Sequence, residues 1–175
     1  MIPPHFRRVR YQVAVSLDGY IAGPNGEADW IVMDPEIDFA ALFEPFDTIL
    51  MGRKTFVVAG SGGGMPGITE IVFSRSLRAT DHPKVRIESG DPADTVRGLN
   101  TRPGKDIWLF GGGQLFQTLF TAGLVDTIEP AIMPVVLGGG VPMFPSPIPR
   151  GSLTLTNQRH YKQSGIMLLE YAVNR

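Results

Sequence analysis

Val9, Tyr11, Val13 and Val15 alternate with polar or small residues, the period of two that marks a strand with one face more buried than the other. Ser16-Leu17-Asp18-Gly19 ends it. Phe39, Leu42, Phe43 and Phe46 recur at the helical spacing behind Asp34-Pro35, an N-cap followed by proline at the first helical position, and this predicts a helix from about residue 35 to 45. Thr48 to Met51 and Ile71-Val72-Phe73 are short apolar strand runs, ended by Gly52 and by Ser74-Arg75. Val85 and Ile87 suggest another short strand, and Asp91-Pro92 caps a helix reaching about Leu99. Ile107 to Phe110 is a fully apolar run that stops at Gly111-Gly112-Gly113, after which Leu115/Leu119 and Phe116/Phe120 pair at i, i+4 until Gly123. Beyond this point Thr127 to Met133, Leu153 to Thr156 and Ile166 to Val173 read as strands with no long helix between them.

Strands alternating with helices at this spacing predict an α/β protein with a mostly parallel central sheet, covered on both faces by helices and antiparallel at its C-terminal end. Ligands of such sheets sit at the carboxyl ends of the strands. No repeat or linker divides the chain, so residues 1–175 read as a single domain. The segment from Gly60 to Gly67 is rich in glycine and reads as an exposed loop.

Composition narrows the function classes. Sixteen basic and 17 acidic residues leave a net charge of −1, which provides no field for nucleic acid or an anionic membrane, so recognition of phosphate has to be local. With no cysteine the chain forms neither disulfides nor a cysteine-ligated zinc site, and His5, His82 and His160 lack metal-ligand spacing. No apolar run approaches the ~18 residues of a membrane span, and a cytoplasmic protein without a metal is expected.

Two segments could carry chemistry. Gly52-Arg53-Lys54-Thr55 follows a strand, where glycine lets backbone approach a ligand and two cations add charge-assisted donors; Ser74-Arg75 ends the next strand run. Together they suit a phosphorylated nucleotide. Phe110-Gly111-Gly112-Gly113-Gln114-Leu115-Phe116 joins a buried strand to a helix, but Phe116 stands where the dinucleotide fingerprint needs its third glycine. The spacing from Gly62 to Thr69 is that of a P-loop with Ile68 in the lysine position, which excludes an NTPase.

Taken in order, Ser16 to Gly23, Asp29-Trp30-Ile31, Met51 to Phe56, Phe110 to Gly113, Gly123 to Asp126 and Leu137 to Gly140 resemble the dihydrofolate reductase-like family. The similarity is to stand-alone relatives of the reductase domain of the bifunctional riboflavin-biosynthesis deaminase/reductase. It implies a mostly parallel sheet of about eight strands that binds NADPH across the strand ends, and a homodimer. By that resemblance Gly52, Arg53, Lys54 and Thr55 hold the pyrophosphate and the adenosine 2′-phosphate, Ser74 and Arg75 complete the 2′-phosphate pocket, and Gly111, Gly112, Gly113, Gln114 and Leu115 run beside the pyrophosphate and nicotinamide.

The implied activity is hydride transfer from NADPH to a small heterocyclic (pterin- or pyrimidine-like) or carbonyl substrate. The alternative is a nucleotide-binding module without catalysis. Asp34 and Glu36 fall where folate reductases carry their protonating carboxylate, and capping alone also accounts for Asp34. Asp29, Trp30, Ile21 and Phe46 are candidates for substrate contacts. Ala131 stands near the position of a threonine in folate reductases, and Val57-Val58-Ala59-Gly60 replaces the Asp-x-Pro of the riboflavin-pathway reductases, so neither folate nor aminouracil follows from the resemblance.

Overall fold

A computed structural model describes residues 6–60 and 66–174; residues 61–65, most of the glycine-rich loop, lie outside the described part. The alternating N-terminal segment forms β1 (Val9–Ser16), with Val9, Tyr11 and Val15 buried in the main core. It is followed by β2 (Tyr20–Ala22), α1 (Phe39–Phe43), β3 (Phe46–Gly52), α2 (Arg53–Val58), β4 (Thr69–Phe73), β5 (Arg86–Glu88), α3 (Pro92–Asn100) and β6 (Asp106–Gly111). The chain continues through α4 (Gly113–Thr121), β7 (Thr127–Met133), β8 (Val141–Pro142), β9 (Leu153–His160) and β10 (Met167–Val173).

Eight strands form one sheet in the order β5-β4-β3-β6-β1-β7-β10-β9, and β2 pairs with β8 apart from it. The first six are parallel neighbours, whereas β10 runs antiparallel to both β7 and β9. The sheet therefore has the expected architecture, including its reversed C-terminal end.

One face packs on α3 and α4. Leu50, Ile71, Ile107 and Leu109 meet Val96, Leu115, Phe116 and Leu119 there, and Tyr11 stacks on Phe116 with ring centroids 4.4 Å apart. Burial raises the Tyr11 hydroxyl well above its usual range, and it donates to the Met143 carbonyl at 3.1 Å. On the other face Phe46, Ile49, Met51, Val72 and Trp108 meet Phe43 of α1 and Phe56 of α2. A smaller cluster of Met133, Tyr161 and Ile166, with Trp30 and Ala131 against it, continues this face toward β10.

Two local outcomes differ from the sequence reading. The first helix is only five residues long and begins after Asp38, whose carboxylate accepts from the Ala41 N–H at 3.1 Å. Asp34 caps a separate turn instead, in which the Ile37 N–H reaches the Asp34 carbonyl at 3.1 Å. The helical spacing holds from Phe39 onward, but two possible caps lay four residues apart, and the nearer one starts the helix. The second difference is at the C-terminal end, where helices do not cover the sheet: all eight residues of β9 are exposed and those of β10 are half-buried throughout.

Candidate functional site

The carboxyl ends of β3, β4 and β6 lie side by side, with Met51 in register with both Val72 and Gly111. Their following loops therefore form one rim. Gly52 is extended and leads directly into α2 with Arg53, Lys54 and Thr55; Ser74 follows β4; Gly111-Gly112 leads into α4.

The two glycine segments touch. A Cβ at Gly112 would lie 3.4 Å from Thr55 Oγ1, and one at Gly52 would lie 4.0 Å from the Gly112 nitrogen. Gly111 has φ of +139°, a region closed to side chains, and the Gly111–Gly112 peptide is cis. Gly112 offers no side-chain cap to α4, and the first amides of a helix lack intrahelical partners. Gly113 is needed for packing, because a Cβ there would lie 2.8 Å from the Pro142 carbonyl oxygen and 3.0 Å from Pro145 Cδ.

Charge gathers on this rim. Arg53, Lys54 and Arg75 are exposed and take part in no ion pair among the described residues; the same holds elsewhere for Arg78, Lys84, Arg102, Lys105, Arg150 and Lys162, so it is their position at adjacent strand ends that sets the three apart. By contrast, Arg7, Arg8, Arg10, Arg86, Arg97 and Arg159 all face carboxylates. Ser74 is buried, and its Oγ accepts from the Ser76 and Leu77 N–H groups at 3.2 and 3.0 Å, so it shapes the loop that presents Arg75. Gln114 is exposed on the first turn of α4, while Leu115 is buried in the core.

The residues proposed to contact substrate are not brought together. Trp30 is half-buried, donates its indole N–H to the Glu27 carbonyl at 3.0 Å and packs in the Met133 cluster. Ile21 packs against the main core, and Asp29 is exposed. Phe46 begins β3 and Gly52 ends it, which puts Phe46 about 20 Å from the cationic rim. These side chains do not make one wall.

Asp34 is buried, and both its oxygens are occupied: Oδ1 accepts from the Glu36 N–H at 2.9 Å and Oδ2 from the Ser164 N–H at 3.0 Å. Hydrogen bonds from Ser164 and then from the Glu36 backbone hold its carboxyl below the usual carboxylate range. It is an ionised anchor between the loop before α1 and the β9–β10 turn. Glu36 is exposed and faces Arg159 at 3.5 Å.

Sequence reasoning gave no individual role to Asp18. Its carboxylate accepts from the Leu137 and Gly138 N–H groups at 3.0 and 2.8 Å, clamping the turn after β1 to the loop after β7. A hydrogen bond from Ser16, followed by that of Leu137, lowers its pKa. The signal was present, since Ser16-Leu17-Asp18-Gly19 and Leu137-Gly138 are both prominent in the sequence, but nothing in the sequence shows that they meet. Phe110, read as the residue that leads into the glycine turn but given no role of its own, is half-buried and edge-on to Trp108 with centroids 4.9 Å apart.

A sheet of this strand order has the dihydrofolate reductase fold. The dihydrofolate reductase of Enterococcus faecalis, solved with NADP(H) and RAB-propyl, superposes with a TM-score of 0.68 at 18% identity, over 96% of this chain and 97% of that one. The chain belongs to the RibD C-terminal domain family, whose sequence model matches residues 7–167. A candidate riboflavin biosynthesis protein from Shewanella sp. PV-4 is similar in structure, with a TM-score of 0.80 at 27% identity over 96% of this chain and 99% of that one. Protein YyaP of Bacillus subtilis (strain 168), itself uncharacterised, is 37% identical over 182 residues, covering 96% of each chain. Among the described residues no helix is long and apolar enough to cross a membrane.

Proposed function

We propose that the protein is an NADPH-dependent reductase of a small heterocyclic or carbonyl compound. The observation that carries this reading is the rim at the ends of β3 and β4, where Arg53, Lys54 and Arg75 stand together without ion-pair partners among the described residues, in a chain of net charge −1. A 2′-phosphate calls for cations and hydroxyls, whereas a free ribose calls for a carboxylate acceptor. The rim fits the phosphate, and the adjoining backbone at Gly52, Gly111 and Gly112 is bare of side chains where a pyrophosphate would lie. Membership of the RibD C-terminal domain family and a fold shared with dihydrofolate reductase support the reductase activity.

A bound nicotinamide cofactor supplies the hydride. Arg53, Lys54 and Arg75 would hold its phosphates as charge-assisted donors, and Gly111 to Leu115 would flank the pyrophosphate and ring. Asp34 and Glu36 are the candidate carboxylates for protonating the substrate, Asp34 held by the Glu36 and Ser164 N–H groups and Glu36 exposed beside it. The occupied Asp34 carboxylate favours a second reading, a nucleotide-binding module without turnover.

Titration with NADPH and NADH, following the fluorescence of Trp30 and Trp108, tests the reading. NADPH should bind at least about tenfold more tightly, with the preference reduced in Arg53→Ala. Failure of both nucleotides to bind at millimolar concentration refutes the reductase and the binding module alike, whereas tight binding with no turnover of any acceptor leaves the binding module. We further propose a homodimer formed along β9, whose eight exposed residues include Leu153 and Leu155 and present an unpaired strand edge suited to a second copy of itself. A monomeric mass by light scattering counts against it.

A further inference from the structure

Of the four asparagines in the chain, Asn25 alone precedes a glycine, and the pair stands at the tip of the turn that follows β2. Pro24 and Asn25 occupy the middle of that turn, which the Gly26 N–H closes on the Gly23 carbonyl at 3.0 Å. Gly26 has φ of +88°, and the Gly23 N–H reaches the Glu27 carbonyl at 2.9 Å, so the turn ends in a glycine bulge. Both Asn25 and Glu27 are exposed.

An asparagine before glycine is chemically labile. With no side chain on the glycine, its amide nitrogen can approach the asparagine Cγ and close a five-membered ring. An added Cβ at Gly26 would meet only Val58 Cγ2, at 3.5 Å, so the tip is open apart from that methyl group.

Two sets of contacts hold the reacting atoms apart. The Gly26 N–H is committed to the Gly23 carbonyl, and Asn25 Nδ2 donates to Glu27 Oε1 at 2.7 Å while the Asn25 N–H donates to Oε2 at 2.8 Å. The bond from the Asn25 side chain is foremost in lowering the Glu27 pKa, so near neutral pH the carboxylate is ionised and acts only as an acceptor. A Cβ at Gly23 would collide with this carboxylate, and the bare glycine lets it fold back over the turn. The Glu27 carbonyl also accepts from the Trp30 indole N–H at 3.0 Å. The turn that carries the labile pair thus fixes a half-buried indole.

We propose that Asn25 is a site of spontaneous deamidation, that Glu27 restrains the reaction in the folded protein, and that conversion to the β-aspartyl form releases Trp30 from the turn. The Gly26 nitrogen gives its proton to water and bonds to Asn25 Cγ; the Cγ–Nδ2 bond breaks, and Nδ2 takes up a proton and leaves as ammonia. Water then adds to either carbonyl carbon of the succinimide and opens it. Addition at Cγ restores the ordinary backbone with a carboxylate side chain. Addition at the α carbonyl leaves a main chain that runs through the side chain, one atom longer, with a free α-carboxylate. One water is consumed at ring opening, ammonia is released, and nothing is oxidised or reduced. Either product sets a negative charge where an N–H donor faced Glu27. The β form also shifts the Gly23–Glu27 register on which the Trp30 contact depends. None of this rests on the reductase reading.

The test incubates the full chain in neutral buffer at physiological temperature beside Glu27→Ala, Glu27→Gln and Asn25→Gln, with a sample of the parent held unfolded in urea. Peptide mapping by mass spectrometry follows the mass gain of amide-to-acid conversion and separates the two aspartyl linkages, and melting curves establish that each variant is folded. The folded parent should gain mass at Asn25, with the β form in excess. Glu27→Ala should convert about threefold or more faster, the effect of losing a modest exposed hydrogen bond, and Glu27→Gln, which keeps one acceptor oxygen, should fall between. Trp30 fluorescence should shift to the red in proportion to conversion, while Asn25→Gln incubated alike keeps its spectrum. A folded parent that stays intact while the unfolded chain converts overturns the inference. So does a Glu27→Ala rate no higher than that of the parent, or full conversion with no spectral change beyond that of Asn25→Gln.

Discussion

Glu129→Gln probes the most enclosed ion pair on the open face of the sheet. Glu129 is 3% exposed and Arg10 13%, and the two meet through bonds of 2.7 and 2.8 Å. Burial of Arg10 opposes its charge, but the bond and field of Glu129, aided by Glu170 and Asp106, outweigh it, so its pKa lies above the ordinary guanidinium value. Breaking one side of such a pair leaves a charge buried without its counter-ion, at a cost of about 3–5 kcal/mol. Asp106 remains 3.6 Å from Arg10, which puts the expected loss at the lower end, about 3 kcal/mol. For a domain of this size that corresponds to a fall in the thermal midpoint of about 6–12 °C. Replacing both partners in Arg10→Leu/Glu129→Leu removes the uncompensated charge as well, and should return the protein to within about 2 kcal/mol of the parent. Urea unfolding followed by far-UV circular dichroism measures the double-mutant cycle. A loss below about 1 kcal/mol for Glu129→Gln, or additivity of the two leucine substitutions, refutes the argument.

Further outcomes follow from other contacts. Gly113→Ala should lose about 1–3 kcal/mol in denaturant unfolding, since the added methyl meets the Pro142 carbonyl, a backbone atom that cannot swing away. Asp91→Ala should lose about 1 kcal/mol through the missing cap on the Ala93 N–H, measured by thermal melting. The Asp34 carboxyl has a lowered pKa in the folded state, so the stability it contributes is complete above the unfolded value of about 3.9 and is lost as pH falls through the lower folded value. The stability difference between the parent and Asp34→Asn should therefore be constant from about pH 5 upward and shrink below about pH 4 in unfolding curves.

The architecture was legible where local pattern and tertiary burial agree. β1 alternates because one face meets α4, and β6 reads as fully apolar from Ile107 to Phe110 because both its faces are covered. The cofactor rim was legible because glycines and cations follow strand ends directly in the sequence. What escaped the reading depends on contacts between distant segments. Asp34 looks like a helix cap until Ser164, 130 residues on, takes its second oxygen. Phe46 fits a helical stripe yet begins the next strand, because Pro45 and the cap at Asp38 confine the helix to five residues.

The position of β1 in the sheet also governs how the chain can be made. Its parallel neighbours are β6 and β7, so Val9 pairs opposite Ile107 and Ser16 opposite Met133. A ribosome adding about 5–20 residues per second needs on the order of 5–20 s to synthesise the intervening hundred residues. Until then the first strand to emerge has nothing to lie against, and its valines and tyrosine wait in a nascent chain whose remaining early strands, β3 to β5, also lack the β6 that joins them to the centre. Assembly of this sheet is thus a late event of translation, and the interval before it is the time during which a holding chaperone would have most to protect.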